Sequence, residues 1–168
     1  MKKVLKIVLV CLALILITLG ISYSVSGGPT DIVNNLQIKR SPQDVFVFIT
    51  DMRNELKWNP DVQFMQKKTP EPVGLGTVFR AKWHMSDTID VTITKFDPPR
   101  EVIFTNGGPI EVRLAVQLSE NAGGCHFESR FSATPHGFVR AIFPLIKIKL
   151  SEQEKENMVN LKKALEGN

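Results

Sequence analysis

Three histidines, His84, His126 and His136, and two cysteines, Cys11 and Cys125, are the readiest proton carriers and nucleophiles in this chain. A group that moves protons must reach a bound substrate, so the face each residue occupies decides what it can do. His84 closes an alternating run and falls with Arg80 and Lys82, opposite Phe79, Ala81 and Trp83. His126 falls with Glu128 and Arg130, opposite Phe127, Ser129 and Phe131, because side chains alternate across a strand. Both read as solvent-side residues. His136, in Thr134-Pro135-His136-Gly137, reads as an ordinary loop residue; its functional alternative is a place at the mouth of a cavity.

The remaining candidates are no stronger. Cys125 reads as a small buried apolar residue, since its one neighbouring activator, His126, points to the other face. Asp87 and Asp90 flank a strand start and read as solvating a turn, so no carboxylate pair stands out on the inward face. No His/Cys/Asp/Glu spacing supplies the three or four ligands of a metal site. Gly74-x-Gly76 lacks the helix and lysine of a phosphate loop, and Gly107-Gly108-Pro109 reads as a hairpin turn. No catalytic residue, metal or cofactor is assigned on these grounds.

The elements that would position such groups are clearer. With 168 residues, 43% of them hydrophobic, the chain is long enough for one domain with a real core. Its formal charge is +4, from 21 basic and 17 acidic residues; removing Lys2, Lys3 and Lys6 leaves 18 against 17. A near-neutral body with mixed charges lacks the clustered basic face that nucleic acid requires, and no nucleic-acid partner is expected.

Residues 1–28 are a different material. No charged residue lies between Ile7 and Ser26, and Tyr23, the only tyrosine, is among them. Such a stretch, at about 1.5 Å per residue, reaches about 30 Å, the thickness of a bilayer core. It is read as an uncleaved transmembrane anchor, with a cleaved signal peptide as the alternative; Ser24-Val25-Ser26 is a poor match to a small-residue cleavage site. A soluble core helix is disfavoured, because a domain of this size cannot surround a helix without a polar face. The lysines before the stretch imply a cytoplasmic N-terminus and an extracytoplasmic domain at 29–168, joined by Gly27-Gly28-Pro29-Thr30. Cys11 lies inside the apolar run, so it cannot pair with Cys125.

The domain begins with a strand over Ile32 to Lys39. Ser41 then offers an N-cap, Pro42 suits the first helical turn, and Asp44 suits the positive end of the dipole. A second short helix over Asp51 to Lys57 ends at Trp58-Asn59-Pro60. From Val62 the period becomes two: Ile89, Val91 and Ile93; Val102, Ile103 and Phe104; Ile110, Val112, Leu114, Val116 and Leu118; Phe127, Ser129 and Phe131. This is an antiparallel meander with one apolar and one charged face. A final amphipathic helix carries apolar residues at Phe138, Val139, Ile142, Phe143, Ile146, Leu150, Met158, Leu161 and Leu165. Pro144 is expected to kink it or to mark a turn before its main part, and a polar stretch between Ser151 and Asn157 interrupts its stripe.

Five features in order, Pro42-Gln43-Asp44-Val45-Phe46, Trp58-Asn59-Pro60, Gly74-Leu75-Gly76-Thr77-Val78-Phe79, Phe96-Asp97-Pro98-Pro99-Arg100 and the ending from Asn157 to Glu166, resemble the polyketide cyclase/dehydrase branch of the START-like (SRPBCC, helix-grip) superfamily. The resemblance covers about residues 32 to 166. It implies an α+β helix-grip fold: a curved antiparallel sheet of about seven strands wrapped around a long C-terminal helix, with a hydrophobic cavity between them. It implies little about reaction, since function lives in sites grafted on folds. The plausible lining is Phe79, Trp83, Val91, Val112, Leu114, Phe127, Ser129 and Phe131 from the sheet and Phe143 and Ile146 from the helix. The expected function is binding of a lipid or other small hydrophobic molecule at a membrane. The alternatives are a cyclase/dehydratase-type enzyme, which an inward histidine or carboxylate would favour, and a filled-core interaction domain, which the absence of a cavity would favour.

Overall fold

The computed structural model describes residues 1–84 and 86–167; Asn168, the last residue of the expected domain, lies outside them. Alternation and capping build the elements in the anticipated order. Helix α1 (Lys2–Val25) is followed by β1 (Thr30–Ile38), α2 (Pro42–Thr50), a 3-10 helix (Met52–Lys57), β2 (Val62–Lys67) and β3 (Val78–Trp83). Then come β4 (Ile89–Asp97), β5 (Glu101–Asn106), β6 (Ile110–Asn121), β7 (Gly124–Pro135) and α3 (Val139–Glu166). The seven strands form one antiparallel sheet in the order β1-β7-β6-β5-β4-β3-β2.

Register fixes which side chains share the inner face. Asn34 pairs with Ser129, Ser129 with Val116, and Val116 with Val102. One row further along, Ile32, Phe131, Leu114 and Phe104 are matched in the same way. Because side chains alternate with a period of two, these rows face α3 while His126, Glu128 and Arg130 face outward.

Local chemistry holds the closed end of the grip. Ser41 Oγ accepts the Asp44 amide at 3.1 Å and caps α2. That helix buries Val45 and Phe46, with Phe46 edge-on to Phe96 at 5.2 Å between ring centres. Gly124, at φ 136°, lies so close to the Ile38 carbonyl and the Arg40 backbone that a Cβ would collide with them, so glycine is required at this β6–β7 turn. The last turns of α3 are pinned there: Lys39 N donates to Glu166 Oε1 at 2.9 Å and Arg40 Nε to the Leu165 carbonyl at 2.8 Å.

Helix α3 divides into two parts. Its second half buries Met158, Leu161 and Leu165 in the main core with Ile38, Phe104, Leu118 and Phe127, each large side chain contributing about 2 kcal/mol of hydrophobic stabilisation. Its first half leaves that core and packs on α1, where the Arg140 guanidinium stands 4.4 Å from the centre of the Tyr23 ring. The helix runs through Pro144, which sets aside the alternative of a turn before its main part. One expectation is corrected here: Phe138 and Ile142 are exposed instead of covering the sheet. A proline so near the N-terminus removes only one early backbone bond, and the two residues lie on the side of α3 turned away from the strands.

Candidate functional site

The inward polar cluster is built from residues on four separate elements. On β1, Asn34 Nδ2 lies 3.3 Å from Ser129 Oγ of β7 and 3.4 Å from Glu154 Oε2 of α3. Ser129 is 1% exposed. From the 3-10 helix, Glu55 Oε2 accepts Trp83 Nε1 at 3.3 Å and Asn59 Nδ2 at 3.4 Å. Asn157, one turn after Glu154, is buried, and its Oδ1 has no hydrogen-bond partner among the described residues.

Both carboxyls are perturbed in the same direction. Burial is the main cause and pushes each up to about 7 from an ordinary 4.5, because enclosure disfavours the charged form. Trp83 and Asn59 oppose the rise at Glu55, and the charge of Glu154 adds to it; Asn34 and Asn157 oppose it at Glu154. Each of the two side chains keeps some accessible surface although protein surrounds it. Each carboxyl is therefore surrounded by protein without being sealed from solvent. Near neutrality such a pair can take up or release protons, and the amides and indole beside it can donate hydrogen bonds.

Around this cluster the grip is unevenly filled. Of the expected lining residues, Phe79, Val91 and Phe127 are buried in the main core, while Trp83 and Leu114 are half-buried at its margin. Val112, Phe131 and Ile146 are half-buried and lie outside that core. Ser129 is in the polar cluster, and Phe143 is buried on the first half of α3, apart from the main core. A concavity of about 560 Å³ lies instead on the outside, between α2, the 3-10 helix and the Phe96–Pro98 turn. Its charges are already matched, with Arg53 bridging Asp51 at 2.7 Å and Glu71 at 3.0 Å, so the inner cluster is the better candidate.

The histidines stand away from it. His84 Nδ1 lies 3.1 Å from the Asp61 carbonyl, His126 pairs with Gln37 at 2.8 Å, and His136 Nε2 lies 3.4 Å from Glu111, all at the surface. Cys125 is buried, and burial pushes its thiol up. Among the described residues no three His, Cys, Asp or Glu side chains converge as metal ligands would.

The reading that no carboxylate pair faces inward is therefore corrected by Glu55 and Glu154. A signal for each was present. Counting four from Leu150 reaches Glu154, and counting four back from Leu161 reaches Asn157, so the polar interruption of the stripe lies on the stripe itself. Glu55 is three residues from Met52, and residues three apart eclipse one another in a 3-10 helix.

Comparison with known proteins bears on this arrangement. A family model described as polyketide cyclase / dehydrase and lipid transport matches residues 29–166. Among solved structures, the chain is similar to KanY, with 20% identity and a TM-score of 0.67 over 83% of this chain and 99% of that one. It is similar to BexL, a di-domain ARO/CYC from the BE-7585A biosynthetic pathway, with 15% identity and a TM-score of 0.66 over 85% of this chain. The match spans 52% of BexL, about half its length. Ara h 8.0201 aligns at 16% identity and a TM-score of 0.56, covering 80% of this chain and 98% of the other. At these identities the structures establish the fold alone. No curated protein matches the sequence.

Proposed function

Because the chain belongs to the polyketide cyclase / dehydrase and lipid transport family, we propose that it is a membrane-anchored module that holds a lipid or other small, mostly hydrophobic molecule. The apolar body of the ligand rests against Val112, Leu114, Phe131 and Ile146, and its polar end meets Glu154, Asn34 and Glu55. The observation that carries this reading is the position of the polar cluster at the boundary between the filled core and the half-exposed apolar rows. Burying about 300 Å² of ligand surface contributes about 7 kcal/mol before association costs. Helix α1 supplies the anchor, with Lys2, Lys3 and Lys6 on the cytoplasmic side and the domain on the other, following the positive-inside tendency.

The test is native mass spectrometry of the full chain after exchange into fresh detergent. One retained hydrophobic molecule per chain, lost in Val112→Trp, is the expected result. A wild-type chain that arrives bare and takes up none of a panel of offered lipids and aromatic polyketides overturns the proposal.

One observation favours a second reading, acid–base catalysis on the bound molecule: two enclosed carboxyls titrating near neutrality. Such groups suit proton transfer at physiological pH. Incubating the extracted molecule with wild-type and Glu154→Gln chains separates the readings. A mass change that the variant fails to produce supports catalysis, and an unchanged molecule in both leaves binding alone.

A further inference from the structure

Helix α3 carries more apolar surface than the fold can cover. In its first half, Val139, Phe143, Ile146 and Leu150 turn inward or toward α1, as their partial or full burial shows. Other apolar residues of the same stretch face out: Phe138 is 74% exposed, Ile142 37%, Leu145 72% and Ile148 59%. A helix apolar on both faces does not belong in water. The second half of α3 is different, with Glu152, Lys155 and Glu156 exposed on its outer side.

The charge pattern changes at the same point. Between Val139 and Leu150 the only charged residues are Arg140, Lys147 and Lys149, all basic. This is also the part of α3 on which the last turns of α1 rest. There, Arg140 Nε and Ser22 Oγ are both buried with no hydrogen-bond partner among the described residues. A guanidinium over an aromatic ring, next to the end of a span-length apolar helix, matches the headgroup depth of a bilayer, where phosphate oxygens accept from cationic donors and aromatic residues are favoured.

We propose that the first half of α3 is a membrane-surface element: its outer stripe of Phe138, Ile142, Leu145 and Ile148 sinks into the interface of an anionic bilayer, and Arg140, Lys147 and Lys149 engage lipid phosphates. This rests on α1 as the anchor and extends that reading, since it turns the half-exposed rows of the grip toward the lipid that would supply a ligand. Amphipathic basic helices bind such interfaces through buried apolar area plus attraction to anionic lipids.

The experiment uses spin labels on the full chain in vesicles containing phosphatidylglycerol. Labels are placed at native Cys11 and, in a Cys11→Ser background, at Leu145→Cys, Ile148→Cys and Val159→Cys; buried Cys125 is not expected to react. Collision with oxygen reports lipid, and collision with a water-soluble nickel chelate reports solvent. Labels at 145 and 148 are expected to be shielded from nickel, and the label at 159, on the second half of the same helix, to be exposed to it. Replacing Arg140, Lys147 and Lys149 by Gln is expected to lower interfacial occupancy at 145 by roughly fivefold per charge removed at low salt. A lipid-immersed Cys11 with nickel-accessible 145 and 148 overturns this proposal and leaves the anchor standing. A nickel-accessible Cys11 overturns both.

Discussion

The two ends of the grip are made by the same strands and the same helix, yet they differ in how they are filled. At one end, Met158, Leu161 and Leu165 close on Ile38, Phe104, Leu118 and Phe127, all of them buried. At the other, Val112, Phe131 and Ile146 stay half-exposed, and the boundary between the ends is marked by Glu154, Asn34 and Ser129. The closed end specifies the fold through close packing. The open end holds titratable groups in a setting that disfavours their charge, a cost to stability that a purely structural interior would avoid.

Truncation probes this contrast most severely. Leu161→Ala is expected to cost about 2–5 kcal/mol in chemical denaturation, as buried leucines do. Ile146→Ala, at the open end, is expected to cost about 1 kcal/mol or less, since it vacates space that solvent already reaches. Equal losses would mean that the two ends are equally filled.

The carboxyls give the next largest effect. Each has its folded value raised above its unfolded one, so the folded chain keeps a proton that the unfolded chain has lost between about pH 4.5 and 7. Stability therefore falls as pH rises through that window and is level above it. Glu55→Gln or Glu154→Gln is expected to raise stability at pH 8 by on the order of 1–3 kcal/mol and to leave it unchanged below pH 4.5. Melting curves across pH decide this; a variant as pH-sensitive as wild type would show that its carboxyl is solvated in the ordinary way.

Enlargement sharpens the comparison further. Ala81→Leu, at a position with no exposed surface, is expected to cost about 1–3 kcal/mol by overpacking. Val112→Leu is expected to shift the denaturation midpoint little, because that side chain is only half-buried. The smallest expected effect is outside both ends: Ser41→Ala removes the cap on α2 and is expected to cost about 1 kcal/mol without altering ligand retention. A retention defect in that variant would mean that the cap at the closed end controls the open one.

Much of the fold was legible in residues whose local demands agree. Ser41 and Pro42 start α2, alternation from Val78 to Pro135 sets the inner face, and the stripe through Met158, Leu161 and Leu165 closes the core. Glu154 and Asn157 were legible as members of that stripe, but their polarity made the segment read as an interruption. The fate of Phe138 and Ile142 was not legible, because a stripe shows that a helix has an apolar side without showing what lies against it.

The sequence alone determined the order of the elements, the face of each residue in its strand or helix, and the presence of one span-length apolar helix. These follow from periods of two and 3.6 and from capping chemistry, which act over a few residues. Only the tertiary structure decided that Glu55 and Glu154 share one interior, that burial lifts both toward neutrality, and that α3 is sheet-facing at one end and α1-facing at the other. Depth and electrostatic environment depend on which distant segments converge, and periodicity records the direction of a side chain but not the distance to the surface along it.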